Sequence, residues 1–223
     1  MPRPYVILNA AMTLDGKIAT ISRDSKISSE ADLTRLHGLR AKMDAVMVGA
    51  GTILADNPSL TVRRVRGKNP IRVVVDGRAR IPPSAKILDN SAKTIVAVLK
   101  AADGKKIDRL RRAGADVIAF EGERIDLRLL LEKLYTRGVK KLLLEGGSTL
   151  NWNMIEQGLV DEIQVTVAPR IVGGETAKTL VGGAGFSKVK DGVRLRLYKM
   201  SRLGGEILLV YRMVGAKRDQ KDR

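Results

Sequence analysis

In the stretch Leu142–Asn153 (LLLEGGSTLNWN) a carboxylate, a diglycine and two hydroxyl residues follow one another without interruption. The apolar run Lys141–Glu145 reads as a buried strand that Gly146 and Gly147 bring to an end. Ser148 and Thr149 then stand where the N-cap hydroxyls of a helix belong. Bare backbone beside unpaired helix N–H groups is a natural seat for a phosphate. Glu145, at the carboxyl end of the strand, would point into the crevice where open α/β sheets place their ligands. Read alone, the segment suits equally a tight strand–helix turn that needs glycine only for packing.

Three further pieces carry candidate chemistry. Val48–Arg63 (VGAGTILADNPSLTVR) has Gly49 and Gly51, but Leu54 occupies the third-glycine position of a dinucleotide fingerprint, so that motif fails. What remains is a short helical turn with Thr52 and Asp56 on one side, stopped by Asn57-Pro58. Thr52 and Asp56 suit a ribose or amide edge, and Arg63 offers a planar fork to phosphate or carboxylate. Helix capping and a surface arginine explain the same residues. In Asn9–Ile27 an apolar strand opens into a long polar loop with Asp15, Gly16, Lys17, Ser25 and Lys26, a candidate lid or substrate loop. Arg40 would face that loop if Leu33 and Leu36 pack inward. At Asp76-Gly77-Arg78-Ala79-Arg80, an acid at a strand end suits a ribose hydroxyl. Arg78 and Arg80 beside it suit a 2′-phosphate, which favours NADPH over NADH; an exposed basic turn is the other reading. His37, the one histidine, is assigned no role.

These pieces must be held by alternating strands and helices. Strands are predicted at Tyr5–Ala11, Ala45–Val48, Ile71–Val75, Thr94–Leu99, Asp116–Phe120 and Lys141–Glu145. Helices are predicted from Ser29, with Asp32 completing a capping box, at Asp108–Ala113 and at Leu127–Arg137. After Gly158 the pattern changes: Asp161–Val167 alternates, and Val193–Leu203 pairs with Glu206–Val214 across Gly204-Gly205. Gly173-Gly174 and Gly182-Gly183 mark loops. Consecutive βα units closed by a C-terminal antiparallel hairpin imply an α/β fold, a mixed, mostly parallel sheet flanked by helices. The expected organisation is a single domain over 1–214 and a polar, disordered tail over 215–223.

Composition removes other chemistries. Zero cysteines exclude disulfides, thiolate metal sites and cysteine nucleophiles, and one histidine makes no metal site, so no metal is expected. No run reaches the roughly 18 apolar residues of a membrane span and no signal-peptide pattern opens the chain, which points to the cytoplasm. The net charge of +17 calls for an anionic partner or a solvated, ion-pair-rich surface. Aromatics are only 3% and the basic residues form no single block, so a phosphorylated metabolite ranks above nucleic acid.

The four pieces in this order resemble the riboflavin-biosynthesis reductases that act on 2,5-diamino-6-ribosylamino-4(3H)-pyrimidinone 5′-phosphate. More broadly the chain is similar to the reductase half of the bacterial bifunctional deaminase-reductase, which has the dihydrofolate reductase fold. The resemblance rests on MTLDGK (Met12–Lys17), DSKIS (Asp24–Ser28), VGAGTILADNPSLTVR, NPIRVVVD (Asn69–Asp76), LLEGGSTLNW (Leu143–Trp152), GLVDE (Gly158–Glu162) and APRIVGG (Ala168–Gly174). Ser148 stands where that family usually has a third glycine, and the absent cysteines leave no zinc deaminase half. The resemblance implies NADPH, with NADH as the other possibility, held by Thr52, Asp56, Asp76, Gly77, Arg78, Ala79, Gly146, Gly147, Ser148, Thr149 and Leu150. It implies that Ser25, Arg40, Leu60, Arg63 and Glu145 surround a phosphorylated ribosylaminopyrimidine, Arg40 and Arg63 at the phosphate and Glu145 at the pyrimidine amino groups.

The implied reaction opens the ribose ring to a C1′ imine and delivers hydride there from nicotinamide C4. No catalytic residue is assigned: water, substrate tautomerism, Lys26 and Asp15 all remain open as the source of the proton. A homodimer is expected, its interface supplied by the apolar C-terminal hairpin. Two alternatives stand beside this reading, a pterin reductase of the same fold and a basic nucleic-acid-binding module.

Overall fold

The structure, a computed structural model, describes residues 2–214. The tail expected to be disordered, 215–223, lies outside the described residues. In chain order the strands are β1 (Tyr5–Thr13), β2 (Ala45–Gly49), β3 (Ile71–Val75), β4 (Thr94–Leu99), β5 (Asp116–Phe120), β6 (Lys141–Leu144), β7 (Glu162–Ala168), β8 (Leu195–Leu203) and β9 (Glu206–Met213). The helices are α1 (Glu30–Arg40), α2 (Ala50–Asp56), α3 (Gly104–Arg112), α4 (Leu127–Thr136) and α5 (Ser148–Glu156). Two compact units share these elements: one holds Leu33–Gly147 with the N-terminal residues through Pro4, the other Tyr5–Asp32 and the chain from Ser148 onward.

In the first unit the strands are all parallel, in the order β5-β4-β3-β2-β6. Outside β5, where burial alternates, their central residues are buried without alternation, as in Val46–Val48, Val73-Val74, Ile95–Val98 and Leu142–Leu144. Helices returning between parallel strands cover both sheet faces, so a continuous apolar run is what such strands require. α4 shows the matching helical pattern, with Leu127, Leu130, Leu131 and Leu134 buried at i, i+3, i+4 and i+7. The carboxylates of Asp103 and Asp126 start α3 and α4 by accepting the N–H groups of Lys105 and Leu129. Charged side chains also enter this core. Arg72 of β3 is fully buried, and its guanidinium donates to Thr94 Oγ1, the Asp89 carboxylate and the Asp89 and Ala92 carbonyls.

In the second unit β1 pairs with β7 in parallel, β7 with β9 antiparallel and β9 with β8 antiparallel. The C-terminal hairpin is therefore present, and the sheet composition is mixed. The start of α1 is only half the expected capping box. Ser29 Oγ accepts the Asp32 N–H at 3.2 Å, but the return bond comes from Glu206, which takes both the Ser29 N–H and its hydroxyl at 2.9 and 2.6 Å. Asp32 instead accepts the Thr166 hydroxyl at 2.7 Å.

α1 also corrects the expectation that Leu33 and Leu36 pack inward. Its buried residues are Asp32, His37 and Arg40, whereas Leu33, Leu36 and Leu39 are half-buried. A polar face is buried where each group finds a partner, because an unpaired one costs several kcal/mol by order of magnitude. The partners of His37 and Arg40 lie at the candidate site.

Candidate active site

The end of β6 and the start of α2 build the frame of the site. Glu145 N–H donates to the Met47 carbonyl at 2.9 Å and Gly49 N–H to the Gly146 carbonyl at 2.8 Å, which fastens the diglycine to β2. Gly146 has φ +90°, a region open to glycine. A Cβ at Gly147 would stand 3.4 Å from Thr52 Oγ1, so these two candidate cofactor residues are neighbours and the backbone between them is bare. Asp56, one turn after Thr52, is exposed. α5 begins at Ser148, so Ser148 and Thr149 are the first residues of the helix and not its N-cap. Ser148, Thr149 and Leu150 belong to the second unit, Gly146 and Gly147 to the first.

Glu145 is held by Arg40. The guanidinium of Arg40 donates from Nε to Oε1 at 2.7 Å and from Nη2 to Oε2 at 2.6 Å, while Nη1 donates to the Thr61 carbonyl at 3.2 Å. Burial works against the charge on Arg40, but the Glu145 carboxylate and its hydrogen bonds prevail and raise the Arg40 pKa. Three of the five guanidinium N–H groups of Arg40 are thus taken by the Glu145 carboxylate and the Thr61 carbonyl. Each Glu145 oxygen keeps a further lone pair for the N–H groups of a ligand.

Arg63 is exposed and donates from Nη1 to Thr61 Oγ1 at 2.6 Å. Leu60, three residues earlier, is buried and has φ +52°. Among the described residues Leu60 is one of four non-glycine positions with positive φ, beside Arg23, Asn57 and Ala79. Such backbone costs about 1–3 kcal/mol and persists where surrounding contacts over-determine it. Here the contacts are those of Thr61 and Arg63. His37, given no role from sequence, is one of them: its Nδ1 accepts the Arg63 N–H at 3.0 Å. Burial first, then the charges of Arg40, Arg63 and Arg64, push the His37 pKa down to about 4, so the imidazole is neutral.

At the end of β3, Asp76 is fully buried and its Oδ2 accepts the N–H groups of Arg80 and Ile81 at 2.5 and 2.8 Å. Those bonds bend the chain through Ala79, φ +49°, and leave Arg78 and Arg80 exposed. Gly77 is tight, since a Cβ there would meet Leu99 Cδ1 at 3.3 Å.

In the second unit the loop after β1 is bound to the segment after β7. The Asp15 carboxylate accepts the Thr13 hydroxyl at 2.6 Å, the Gly173 N–H at 2.8 Å and the Val172 N–H at 3.3 Å. The Thr13 hydroxyl leads, with the two peptide N–H groups, in lowering the Asp15 pKa, so this group is an ionised staple and not a reservoir of protons. Ser25 lies in the exposed turn Asp24–Lys26 of the same unit, where its carbonyl accepts the Ile27 N–H at 2.8 Å.

Sequence reasoning missed a strap. Leu180–Gly183 crosses the first turn of α5: Gly182 N–H donates to the Ser148 carbonyl at 3.1 Å and Asn151 Nδ2 to the Leu180 carbonyl at 2.8 Å. A Cβ would fall 2.6 Å from Ser148 Oγ at Gly182 and 2.1 Å from Trp152 Cδ1 at Gly183. The diglycine was the available signal, since two adjacent glycines in a loop mark a close approach of backbone as readily as a turn.

Residues 4–209 match the model of the RibD C-terminal domain. The chain belongs to the RibD C-terminal domain family. A relative from Methanothermobacter thermautotrophicus, a 2,5-diamino-6-ribosylamino-4(3H)-pyrimidinone 5′-phosphate reductase, is 50% identical over 216 residues, 96% of this chain and 100% of the relative. One of the same name from Archaeoglobus fulgidus is 44% identical, covering 91% of this chain and 94% of its own. Among solved structures, RibD of Acinetobacter baumannii superposes with a TM-score of 0.80 at 30% identity, covering 95% of this chain and 58% of that one. The Saccharomyces riboflavin biosynthesis reductase Rib7 shares the fold, with a TM-score of 0.73 at 21% identity over 95% of this chain and 90% of its own. Within this family's fold, the mixed, mostly parallel dihydrofolate reductase-like arrangement expected from the sequence is the one observed.

Proposed function

We propose that this RibD C-terminal domain protein is the reductase that converts the ribosylamino side chain of 2,5-diamino-6-ribosylamino-4(3H)-pyrimidinone 5′-phosphate to the ribitylamino form, using NADPH, in riboflavin biosynthesis. The observation that carries this reading is the full-length match, at 50% identity, to a relative bearing that name. The geometry agrees with it. Glu145 is fixed by a buried arginine, the exposed Arg63 bonds Thr61, whose carbonyl that buried arginine also holds, and the bare backbone of Gly147 lies next to Thr52.

The residues present fit a nicotinamide dinucleotide, because the uncovered backbone at Gly147 and the exposed cations at Arg78 and Arg80 match its pyrophosphate and a 2′-phosphate. Thr52, Gly146 and Gly147 would hold it, and Arg78 and Arg80 favour NADPH over NADH. When bound it supplies hydride for C1′ of the ring-opened imine. The chain's own residues bind and orient. Glu145 accepts the pyrimidine amino groups, Arg40 holds Glu145 in place, and Arg63 takes the phosphate. With Asp15 committed to loop N–H groups, water, the substrate itself or Lys26 is left to protonate the imine nitrogen.

The protein acts as a homodimer in this reading, through edge strand β8, whose Leu195, Leu197, Tyr198 and Met200 are exposed. It works in the cytoplasm; among the described residues no helix is long and apolar enough to cross a membrane. The test is direct. Purified protein mixed with the pyrimidine substrate and NADPH consumes reduced nicotinamide in a substrate-dependent way; no consumption with authentic substrate ends the proposal.

A further inference from the structure

Residues Thr61–Arg63 run extended without a partner strand, yet their backbone is held on both edges by side chains. On one edge Arg40 Nη1 donates to the Thr61 carbonyl at 3.2 Å, and His37 Nδ1 accepts the Arg63 N–H at 3.0 Å. On the other, Asn69 Oδ1 accepts the Val62 N–H at 2.7 Å. In an extended chain the carbonyl of residue i and the N–H of residue i+2 point the same way. His37 and Arg40, one turn apart on α1, therefore present an acceptor and a donor in the alternation that a neighbouring strand would offer. This substitute strand edge ends at Arg63.

We propose that His37 is a positioning residue for substrate: its neutral imidazole fixes the backbone from which Arg63 reaches the phosphate. The proposal rests on the reading of Arg63 given above and adds to it what holds that arginine in place. The imidazole is 4% exposed, so water cannot readily replace it as the acceptor for the Arg63 N–H. Its Nδ1 must carry no proton to accept, and burial first, then the cations Arg40, Arg63 and Arg64, keep it that way. A cation on His37 would turn the acceptor into a donor aimed at another donor. The side chain that sequence reasoning set aside thus links the pair Arg40–Glu145, which meets the pyrimidine end, to the arginine at the phosphate end.

Two substitutions separate this role from folding. His37→Asn places an amide oxygen near the position of Nδ1, whereas His37→Leu fills the space with no acceptor. Steady-state kinetics should show the Leu variant with a substrate KM raised about tenfold, the size of one lost hydrogen bond. Its NADPH KM should stay within twofold, and the Asn variant should return the substrate KM to within threefold of the parent. Equal behaviour of the Leu and Asn variants, or equal rises for both ligands, would overturn the proposal. Arg63→Ala keeps the two readings apart. If it leaves the substrate KM unchanged, the assignment of Arg63 is wrong; if it raises that KM while His37→Leu does not, only the role of His37 is wrong.

Discussion

Arg40→Met tests whether Arg40 serves Glu145 or the phosphate. The substitution preserves helix propensity and much of the side-chain volume while removing the cation. Both side chains of the pair are nearly buried, at 8% and 11% exposure, so the Glu145 charge would be left stranded. Breaking a buried pair costs about 3–5 kcal/mol, and the Thr61 carbonyl losing its donor adds about 1 kcal/mol. Residual exposure of Glu145 lets water recover part of this, so a net loss of about 3 kcal/mol is expected. For a chain of this size each kcal/mol moves Tm by roughly 2–4 °C, which predicts a fall of about 6–12 °C. Glu145→Gln introduced into the same variant removes the stranded charge, so the double variant should regain at least half of the lost stability and none of the activity. Denaturant unfolding of the four proteins gives the coupling energy directly. An Arg40→Met protein that melts with the parent, or a double variant no more stable than it, would refute the pairing argument. A stable Arg40→Met protein that no longer distinguishes phosphorylated from dephosphorylated substrate would return Arg40 to the phosphate.

Asp76→Ala strands the Arg80 and Ile81 N–H groups and frees the loop that presents Arg78 and Arg80. It should raise the NADPH KM at least tenfold while the substrate KM stays within threefold, and the reverse pattern in steady-state kinetics would show that the loop does not serve the cofactor. Gly183→Ala sets a Cβ 2.1 Å from the Trp152 ring at φ +83°. It should lower Tm by roughly 6 °C or more, as overpacking and left-handed strain add, and an unchanged melt would mean that the strap does not lie on α5. For His37, the folded pKa of about 4 lies below the usual 6.5, so between these values the unfolded chain binds a proton that the folded chain refuses. Stability therefore falls as pH drops from 6.5 to 4, by up to about 3 kcal/mol, and levels off below. Denaturant midpoints of His37→Asn should lack that share of the acid loss, and parallel curves for parent and variant would refute the assignment.

The inner parallel strands were legible because burial on both faces writes itself into sequence as an uninterrupted apolar run, and β5 because its residues alternate in burial. Ile71–Val75, Thr94–Leu99 and Asp116–Phe120 have the predicted bounds to the residue. α1 was misread for the complementary reason. Apolar periodicity assumes that a helix buries its leucines, but this one buries Asp32, His37 and Arg40 against partners as much as 134 residues away in sequence. Such partners leave no local trace. Capping shows the same division. Ser29 was visible as an N-cap, whereas the acid that answers it, Glu206, arrives from the C-terminal hairpin. The strap over α5 was invisible beyond its glycines, since what they approach is Ser148 and Trp152.

The candidate site was legible as a set of residues and illegible as a division of labour. Motif and strand-end arguments select acids and arginines by type, and type alone puts Arg40 beside Arg63 at the phosphate and Asp76 at a ribose. The structure adds what they already hold: Arg40 pairs with Glu145, and Asp76 Oδ2 accepts two peptide N–H groups. Beside them Arg63 and Arg78 are exposed, and Arg80 is exposed with its Nε 3.5 Å from Asp76 Oδ1. The left-handed backbone at Leu60 and Ala79 falls in these same two segments. A strained, buried residue next to an exposed cation is a costly arrangement for stability alone, and it becomes intelligible if the segment is shaped to hold that cation at a fixed distance from a ligand. The two segments share a pattern: a buried polar group, His37 on α1 or Asp76 just after β3, accepts backbone N–H near a left-handed residue and an exposed arginine.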